Sequence, residues 1–292
     1  MVTAKVAEDA QSAPGALGSL ESESGSGPIR ADARWNPGHI KYSVCTLVTC
    51  VEQYDEMRRS FVERGFDTRD IEFLYIDNSI RNEFDGYSGC NLFLSVARGE
   101  YIIICHQDVL LEGHGRPELD DRLSELEILD PNWAVCGNSG GISLKRLAIR
   151  ISDPHGENMR HGKLPARVSG VDENFVVVKR RSNLSLSRDL SGFHLYGADL
   201  CVIAGILGYT SYVIDFHLRH RSGGRGDASF SAARTALVRK YARSFRSRWI
   251  RTACAMVFLS GTPLVGAALS HPFFTRILHR VLVTLDPWDG ES

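Results

Sequence analysis

The 292-residue sequence lacks the motifs of several common enzyme and binding classes. It has neither a Walker P-loop nor a Gly-x-Gly-x-x-Gly fingerprint after its first predicted strand, which argues against a P-loop NTPase and a standard dinucleotide enzyme. It also lacks an excess of charge, since 34 Lys and Arg oppose 35 Asp and Glu for a net charge of -1. Nucleic-acid-binding domains usually carry a strongly basic face, so we expect no nucleic-acid partner.

Disulfide and secretion signals are absent as well. The seven cysteines include no Cys-x-x-Cys pair, their number is odd, and most lie in apolar runs. This pattern favours buried, reduced thiols over a disulfide framework. The first residues show no basic stretch followed by an apolar one, the signature of a secretory signal. We therefore expect a cytoplasmic protein, with attachment to the inner face of the membrane as an alternative.

Composition divides the chain into three predicted segments. Residues 1–38 are rich in Ala, Ser, Gly and Glu without apolar periodicity, so we expect them to be disordered. Residues 39–228 alternate β-branched runs with amphipathic stretches and are predicted to form one α/β domain. Residues 229–292 are predicted to form a helical extension that is partly basic and partly apolar.

Within the central segment, strand-like and helix-like patterns alternate. Strands are predicted at 42–50, 71–79, 101–105, 133–137 and 173–180, and helices at 51–65, 89–100 and 118–129. Such alternation predicts a Rossmann-like, mostly parallel sheet flanked by helices. Ligands of these sheets bind beyond the carboxyl ends of the strands.

Polar side chains follow three of the predicted strands. Thr49 ends the first, Asp77 and Asn78 end the second, and the run His-Gln-Asp at 106–108 follows the third. A lone Asp after a strand is commonly a turn residue or a helix N-cap. Because three apolar residues follow Asp108 directly, capping explains it poorly, and a carboxylate at this edge can hold a hard divalent cation.

The order of seven short segments resembles the family 2-type glycosyltransferases of the GT-A fold. These segments are VCTLVTC, YIDNS, ARGEYIIICHQDV, WAVCG, VDENFVVVKR, FHLYGADLC and DFHLRHRSGG. They are most similar to the bacterial StrF-type subgroup, whose metal motif reads His-Gln-Asp. The resemblance covers roughly residues 41–226 and implies a GT-A domain over 39–228. It also implies inverting transfer of a sugar from a nucleoside diphosphate, UDP or dTDP, to a hydroxyl of a glycan, a lipid-linked glycan or a small molecule.

The resemblance implies roles for individual polar residues of the donor site. Thr49, Asp77, Asn78 and Gln107 would bind the nucleotide. Asp108 would hold Mg²⁺ or Mn²⁺ on the diphosphate, because it is the last acid of the usual Asp-x-Asp motif.

A late histidine and a late carboxylate complete the implied site. His220 fits the place of a loop histidine that ligates the metal better than His217 does, and the neighbouring Arg221 and Arg225 would clamp phosphate oxygens. Asp199 lies where the family places the base that deprotonates the acceptor hydroxyl. The alternative is that Asp199 is the N-cap of the apolar helix after it.

The C-terminal segment allows three interpretations. A basic helix is predicted at 234–251, and an uncharged run follows at 253–270. The run could pack on the core as a helical pair, attach to a membrane surface, or span a bilayer. Its 18 residues are borderline for a span, and Gly and Pro interrupt them.

Two other functions stay open. Only the last acid of the usual metal motif is present, so the domain could be a degenerate GT-A fold that binds a nucleotide or a protein without turnover. A nucleotidyltransferase on a similar sheet would need a Gly-rich, basic loop after the first strand, whereas TCVEQYDE is acidic.

Overall fold

The computed structural model describes residues 40–223, 228–251 and 255–285. The described residues up to Ala233 form one compact unit, and those from Arg234 onward form a second. The predicted disorder of residues 1–38 and the phosphate role of Arg225 lie outside the described residues. The domain boundaries at 38 and 228 stay predictions.

The first unit contains the elements that the sequence pattern predicted, together with additional short strands. The strands are β1 (Tyr42–Val48), β2 (Ile71–Asp77), β3 (Tyr101–Cys105), β4 (Val109–Leu110), β5 (Trp133–Gly137), β6 (Ser139–Ser143), β7 (Arg146–Asp153), β8 (Gly156–His161), β9 (Ala166–Arg167), β10 (Gly170–Val171), β11 (Phe175–Lys179), β12 (Thr210–Val213) and β13 (Leu218–His220). The helices are α1 (Val51–Glu63), α2 (Gly86–Val96), α3 (Arg116–Leu129) and α4 (Tyr196–Ile206), with α5 (Ala228–Ser244) running into the second unit.

A seven-stranded sheet forms the centre of the first unit, in the order β2-β1-β3-β11-β5-β12-β9. Strand β1 pairs in parallel with β2 and β3, and β5 pairs in parallel with β12. Strands β11 and β9 run antiparallel to their neighbours. Every residue of β3, β5 and β11 is buried, as expected of continuous apolar runs in a covered sheet. The chain is therefore an α/β protein with a mostly parallel central sheet flanked by helices, which confirms the predicted fold class.

Helix α1 shows how the apolar spacing fixes the packing. Its buried residues are Tyr54, Met57 and Phe61, which recur at three and four positions along one face. Burying each of these side chains contributes on the order of 2 kcal/mol. The chain leaves the helix through Gly65, whose φ of +93° is readily adopted only without a Cβ.

A second sheet lies in the same unit and was missed from the sequence. Its order is β10-β6-β7-β13-β4, and β8 pairs with β7. Strand β8 reads GENMRH, with each residue at least partly exposed, so no apolar alternation indicates it. This sheet matters for the site because β13 and β4 both belong to it.

The second unit differs from its prediction. Helix α5 ends at Ser244, and Arg248–Arg251 is instead strand β14, paired with β15 (Met256–Leu259), so the helix predicted over 234–251 was too long. Nor is the uncharged run a single helix, since β15 is followed by α6 (Pro263–Ser270) and then α7 (Pro272–Leu285). Among the described residues, no helix is both long and apolar enough to cross a membrane.

Candidate functional site

Two histidines and an aspartate converge just beyond the carboxyl end of β3. His106 and Asp108 follow that strand, and the antiparallel pairing of His220 with Val109 brings β13 alongside them. The Nδ1 atom of His106 lies 3.3 Å from Nε2 of His220, which lies 3.4 Å from Oδ1 of Asp108. One ligand atom from each residue falls within 4.8 Å of the other two. We call these three residues the His-Asp-His cluster.

Two members of the cluster, His106 and Asp108, are in the protonation states that a metal requires. Burial, together with the neighbouring His220, lowers the pKa of His106 to about 4, so the ring is neutral at pH 7. Burial alone would raise the pKa of Asp108, but hydrogen bonds from His220 and Ser222 and the charges of both histidines outweigh it and lower the pKa to about 2. A neutral imidazole and an ionised carboxylate are the ligand forms of these residues.

Tyr196 contacts the ring nitrogen of His106 that faces away from the cluster. The Tyr196 hydroxyl lies 3.1 Å from His106 Nε2 and donates to the main-chain oxygen of Glu173 at 3.4 Å. When the hydroxyl donates to Glu173, it accepts from His106 Nε2, and this tautomer leaves the Nδ1 lone pair facing the cluster. Hydrogen bonds of this kind fix the tautomer of metal-ligating histidines.

The donor set discriminates among the divalent cations. Mg²⁺ prefers oxygen ligands in near-ideal octahedral geometry, whereas imidazole nitrogens suit transition metals. With two imidazoles and one carboxylate, the cluster departs from the all-oxygen ligand set that Mg²⁺ prefers.

Gln107 connects the ends of β3 and β1. Its Oε1 accepts from the main-chain nitrogens of Thr49 and Cys50 at 2.7 and 3.0 Å. Its Nε2 donates to Thr49 Oγ1 and to Gln53 Oε1, both at 3.0 Å. The structure thus brings Thr49 and Gln107 together beside the cluster, and their binding of a nucleotide stays a prediction.

Asp77 and Asn78 lie at the same edge of the sheet. Asp77 is exposed, pairs in register with Val48 at the end of β1, and accepts from the main chain and hydroxyl of Ser79 at 2.9 and 2.6 Å. Asn78 is buried, and its side chain bonds to the backbone of Phe84 and so closes the loop between them. Asp77 is therefore accessible to a ligand, while Asn78 shapes the loop beside it.

Asp199 lies in the first turn of α4 and is fully buried. The N-cap of α4 is Leu195, so the interpretation of Asp199 as an N-cap was wrong. Both carboxylate oxygens accept from Ser187, one from its hydroxyl at 2.7 Å and one from its main-chain nitrogen at 2.8 Å. In this arrangement Asp199 fastens the segment before α4 to the helix, and its role as the base stays a prediction.

His217 and Arg221 have partners outside the cluster. His217 Nε2 lies 2.9 Å from the hydroxyl of Ser152. The guanidinium of Arg221 donates to Glu56. The structure therefore places His220 rather than His217 beside Asp108.

The sequence did not predict a role in the site for two residues, His106 and Glu173. His106 was regarded as a replacement for a lost acid rather than as a ligand. Glu173 precedes β11, and the antiparallel pairing of β11 with β3 places the main-chain oxygen of its neighbour Asn174 3.0 Å from the main-chain nitrogen of His106. Burial and the charge of Asp172 raise the pKa of Glu173 to about 7. The polar run VDEN was the sequence signal for Glu173. The position of Glu173 in the fold depends on the direction of β11, which apolar periodicity does not give.

Comparison with known proteins identifies a relative. The protein named ATP synthase subunits region ORF 6, from Fuscovulum blasticum, is 38% identical over 228 residues, which span 76% of this chain and 92% of that protein. The chain belongs to the family of this ORF 6 protein. The name of the ORF 6 protein states no activity, and no protein-family model matches the chain.

Solved structures similar to this ORF 6 family member share little sequence with it. GalNAc-T7 with UDP, GalNAc and Mn²⁺ gives a TM-score of 0.45 at 10% identity, over 68% of this chain and 48% of that one. TarS of S. aureus with UDP gives 0.42 at 11% identity, over 63% and 61%. A197 from STIV gives 0.37 at 12% identity, over 64% and 97%. The chain thus spans about half to nearly all of these proteins, and likenesses this weak carry no argument about its ligands.

Proposed function

We propose that the chain is a glycosyltransferase of GT-A architecture that moves a sugar from a nucleoside diphosphate to a hydroxyl acceptor with inversion. The observation that carries the proposal is the His-Asp-His cluster at the carboxyl edge of a mostly parallel sheet, where such folds bind ligands. The seven segments that resemble family 2-type glycosyltransferases support the same activity.

The residues at the carboxyl edge of the central sheet would each have a role in this reaction. Asp77 and Thr49 would bind the nucleotide, with Gln107 holding the Thr49 loop beside the cluster. His106, Asp108 and His220 would hold a divalent cation, for which we propose Mn²⁺. When bound, the cation would act as a Lewis acid toward the leaving diphosphate.

Inverting transfer also needs a carboxylate that accepts the proton of the acceptor hydroxyl. Asp199 has this role by resemblance, although Ser187 occupies both of its oxygens. Glu173 is a second candidate because its carboxylate has a pKa of about 7 and its main-chain oxygen contacts Tyr196, which in turn contacts His106. Asp199→Asn and Glu173→Gln separate the two, since only the variant of the true base should lose turnover while it retains nucleotide binding.

Calorimetric titration of UDP and dTDP, with and without Mn²⁺, tests the donor site. We expect Mn²⁺-dependent binding by the wild type and its loss in Asp108→Ala. Asp121→Ala is the matched control, because Asp121 is exposed on α3 and its neighbour Asp120 contacts Tyr42 at the opposite end of β1. Equal binding by Asp108→Ala and the wild type would contradict the proposal.

Turnover distinguishes the enzyme from a degenerate binding domain. We expect slow, Mn²⁺-dependent hydrolysis of at least one UDP- or dTDP-sugar from a panel, measured as released nucleotide. Nucleotide binding without release of nucleotide from any sugar, with acceptors present, would support the degenerate alternative.

A further inference from the structure

The basic charge of the chain is concentrated in its C-terminal part. Residues 228–285 contain nine of the 34 Lys and Arg and none of the 35 Asp and Glu. This segment therefore carries a formal charge of +9, and the remainder of the chain carries -10. The near-zero net charge of the whole chain conceals this separation.

Helix α7 has one apolar face and one polar face. At about 100° per residue, Phe274, Ile277 and Val281 form an apolar stripe along one side of the helix. Arg276 and His279 lie on the opposite side, and Arg280 lies between the two. Members of the stripe are between 45% and 50% exposed: Phe274, Ile277 and Val281. Side chains of this size are seldom left in water as a continuous stripe.

The β14–β15 hairpin repeats the combination of basic and apolar residues. Strand β14 reads Arg-Trp-Ile-Arg, and its Trp249 and Ile250 are 39% and 37% exposed. Trp249 lies against Phe258 of β15, with ring centroids 5.1 Å apart. Exposed aromatic and aliphatic groups flanked by arginines are typical of segments that lie in the headgroup region of a bilayer.

We propose that the segment 228–285 docks on an anionic lipid bilayer, with the apolar stripe of α7 inserted among the lipids and the arginines facing the headgroups. Charge complementarity favours this occupant, because the segment has no acid that would be repelled by an anionic surface. The exposed apolar stripe favours a bilayer over a nucleic acid, whose phosphates would engage only the arginines.

Sedimentation of the full chain with vesicles tests the proposal. We expect binding to vesicles of phosphatidylcholine with phosphatidylglycerol, weaker binding to phosphatidylcholine alone, and a decrease as salt rises. Replacing the exposed pair Arg246→Gln and Arg251→Gln should weaken binding to the anionic vesicles by about fivefold for each residue.

A matched pair of substitutions on α7 tests the apolar stripe. Ile277→Glu places a carboxylate in the stripe and should weaken vesicle binding by about tenfold or more. His279→Glu introduces the same group two residues away on the polar face and should weaken it only by the effect of one charge, about fivefold. Circular dichroism melts of both variants show whether the protein is still folded.

Three outcomes would overturn the proposal. The first is equal weakening by Ile277→Glu and His279→Glu while both remain folded. The second is self-association of the wild type that Ile277→Glu abolishes without any vesicle binding, which would make a second copy the occupant. The third is tighter binding to a single-stranded RNA than to the anionic vesicles.

Discussion

The ring of His106 has a contact at each nitrogen, and the hydrogen bond at Nε2 sets whether Nδ1, which faces the cluster, carries a lone pair. Tyr196 supplies that bond to Nε2. We predict that Tyr196→Phe lowers the affinity for Mn²⁺ by roughly 10- to 100-fold, because the ring loses the partner that fixes its tautomer. Titration calorimetry with Mn²⁺ measures the change.

Tyr87 provides the control for this prediction. Its ring packs edge-on against that of Tyr196, and its hydroxyl donates to the main-chain oxygen of His194 at 3.3 Å. Tyr87→Phe removes the same hydroxyl group from a neighbouring ring and should leave the Mn²⁺ affinity within about threefold of the wild type. An equal loss in both variants would mean that packing, not the bond to His106, sets the affinity.

Glu173 should make stability depend on pH in an unusual direction. Its pKa rises from 4.5 to about 7 on folding, because burial disfavours the charged form and Asp172 repels it. The folded chain therefore binds the proton more tightly than the unfolded chain. The contribution of Glu173 to the free energy of unfolding is complete below about pH 4.5 and is lost as the pH rises to about 7.

Removing the ionisable group of Glu173 should abolish this loss of stability at higher pH. Glu173→Gln can still accept from the Gly197 main chain, which lies 3.3 Å from Glu173 Oε1. We predict that the variant gains on the order of 2 kcal/mol relative to the wild type between pH 5 and pH 8. Urea denaturation at both pH values gives the difference, and an unchanged pH slope would show that Glu173 is not titrating in this range.

At the scale of the element, α4 contains two glycines with opposite predicted effects. A Cβ on Gly197 would meet the main-chain oxygen of Val171 at 2.4 Å, so the start of the helix is fixed against β10. A Cβ on Gly205, exposed in the last turn, would meet nothing within 4 Å. We predict that Gly197→Ala destabilises the fold by about 3 kcal/mol or more, and that Gly205→Ala stabilises it by about 0.5–1 kcal/mol.

Denaturant melts of the two alanine variants check this pair. Each adds one methyl group to the same helix, so helix propensity alone would stabilise both. Changes of similar size and the same sign in the free energy of unfolding would mean that α4 moves away from β10 at little cost.

The sequence predicted an element well where the element has a clear apolar pattern of its own, and poorly where it does not or where a distant partner determines its direction. Strands β3 and β5 were predicted to the residue, because uninterrupted apolar runs require burial on both faces. The direction of β11 was not predicted because it depends on the distant strands β3 and β5. Strand β8 was not predicted because its sequence has no apolar alternation. His220 was placed beside Asp108 by resemblance, while His106 was missed because its ligand role depends on the β13–β4 pairing and on Tyr196.

At the scale of the first unit, the His-Asp-His cluster joins its two sheets. His106 and Asp108 follow β3 of the seven-stranded sheet, whereas His220 belongs to β13 of the second sheet. A cation held by all three would bind the folded chain and not the unfolded one, in which more than a hundred residues of chain separate His220 from the other two ligands. Binding should therefore stabilise the fold by mass action.

We predict that Mn²⁺ at a hundred times its dissociation constant stabilises the protein by about 2.7 kcal/mol and raises the melting temperature by roughly 5–10 °C. A chelator should reverse the shift, and Mg²⁺ at the same concentration should give a smaller one because two of the three ligands are imidazoles. Scanning calorimetry measures these shifts. In Asp108→Asn the Mn²⁺ shift should fall to a small fraction of the wild-type value, and a shift of undiminished size in that variant would place the stabilising ion elsewhere on the molecule.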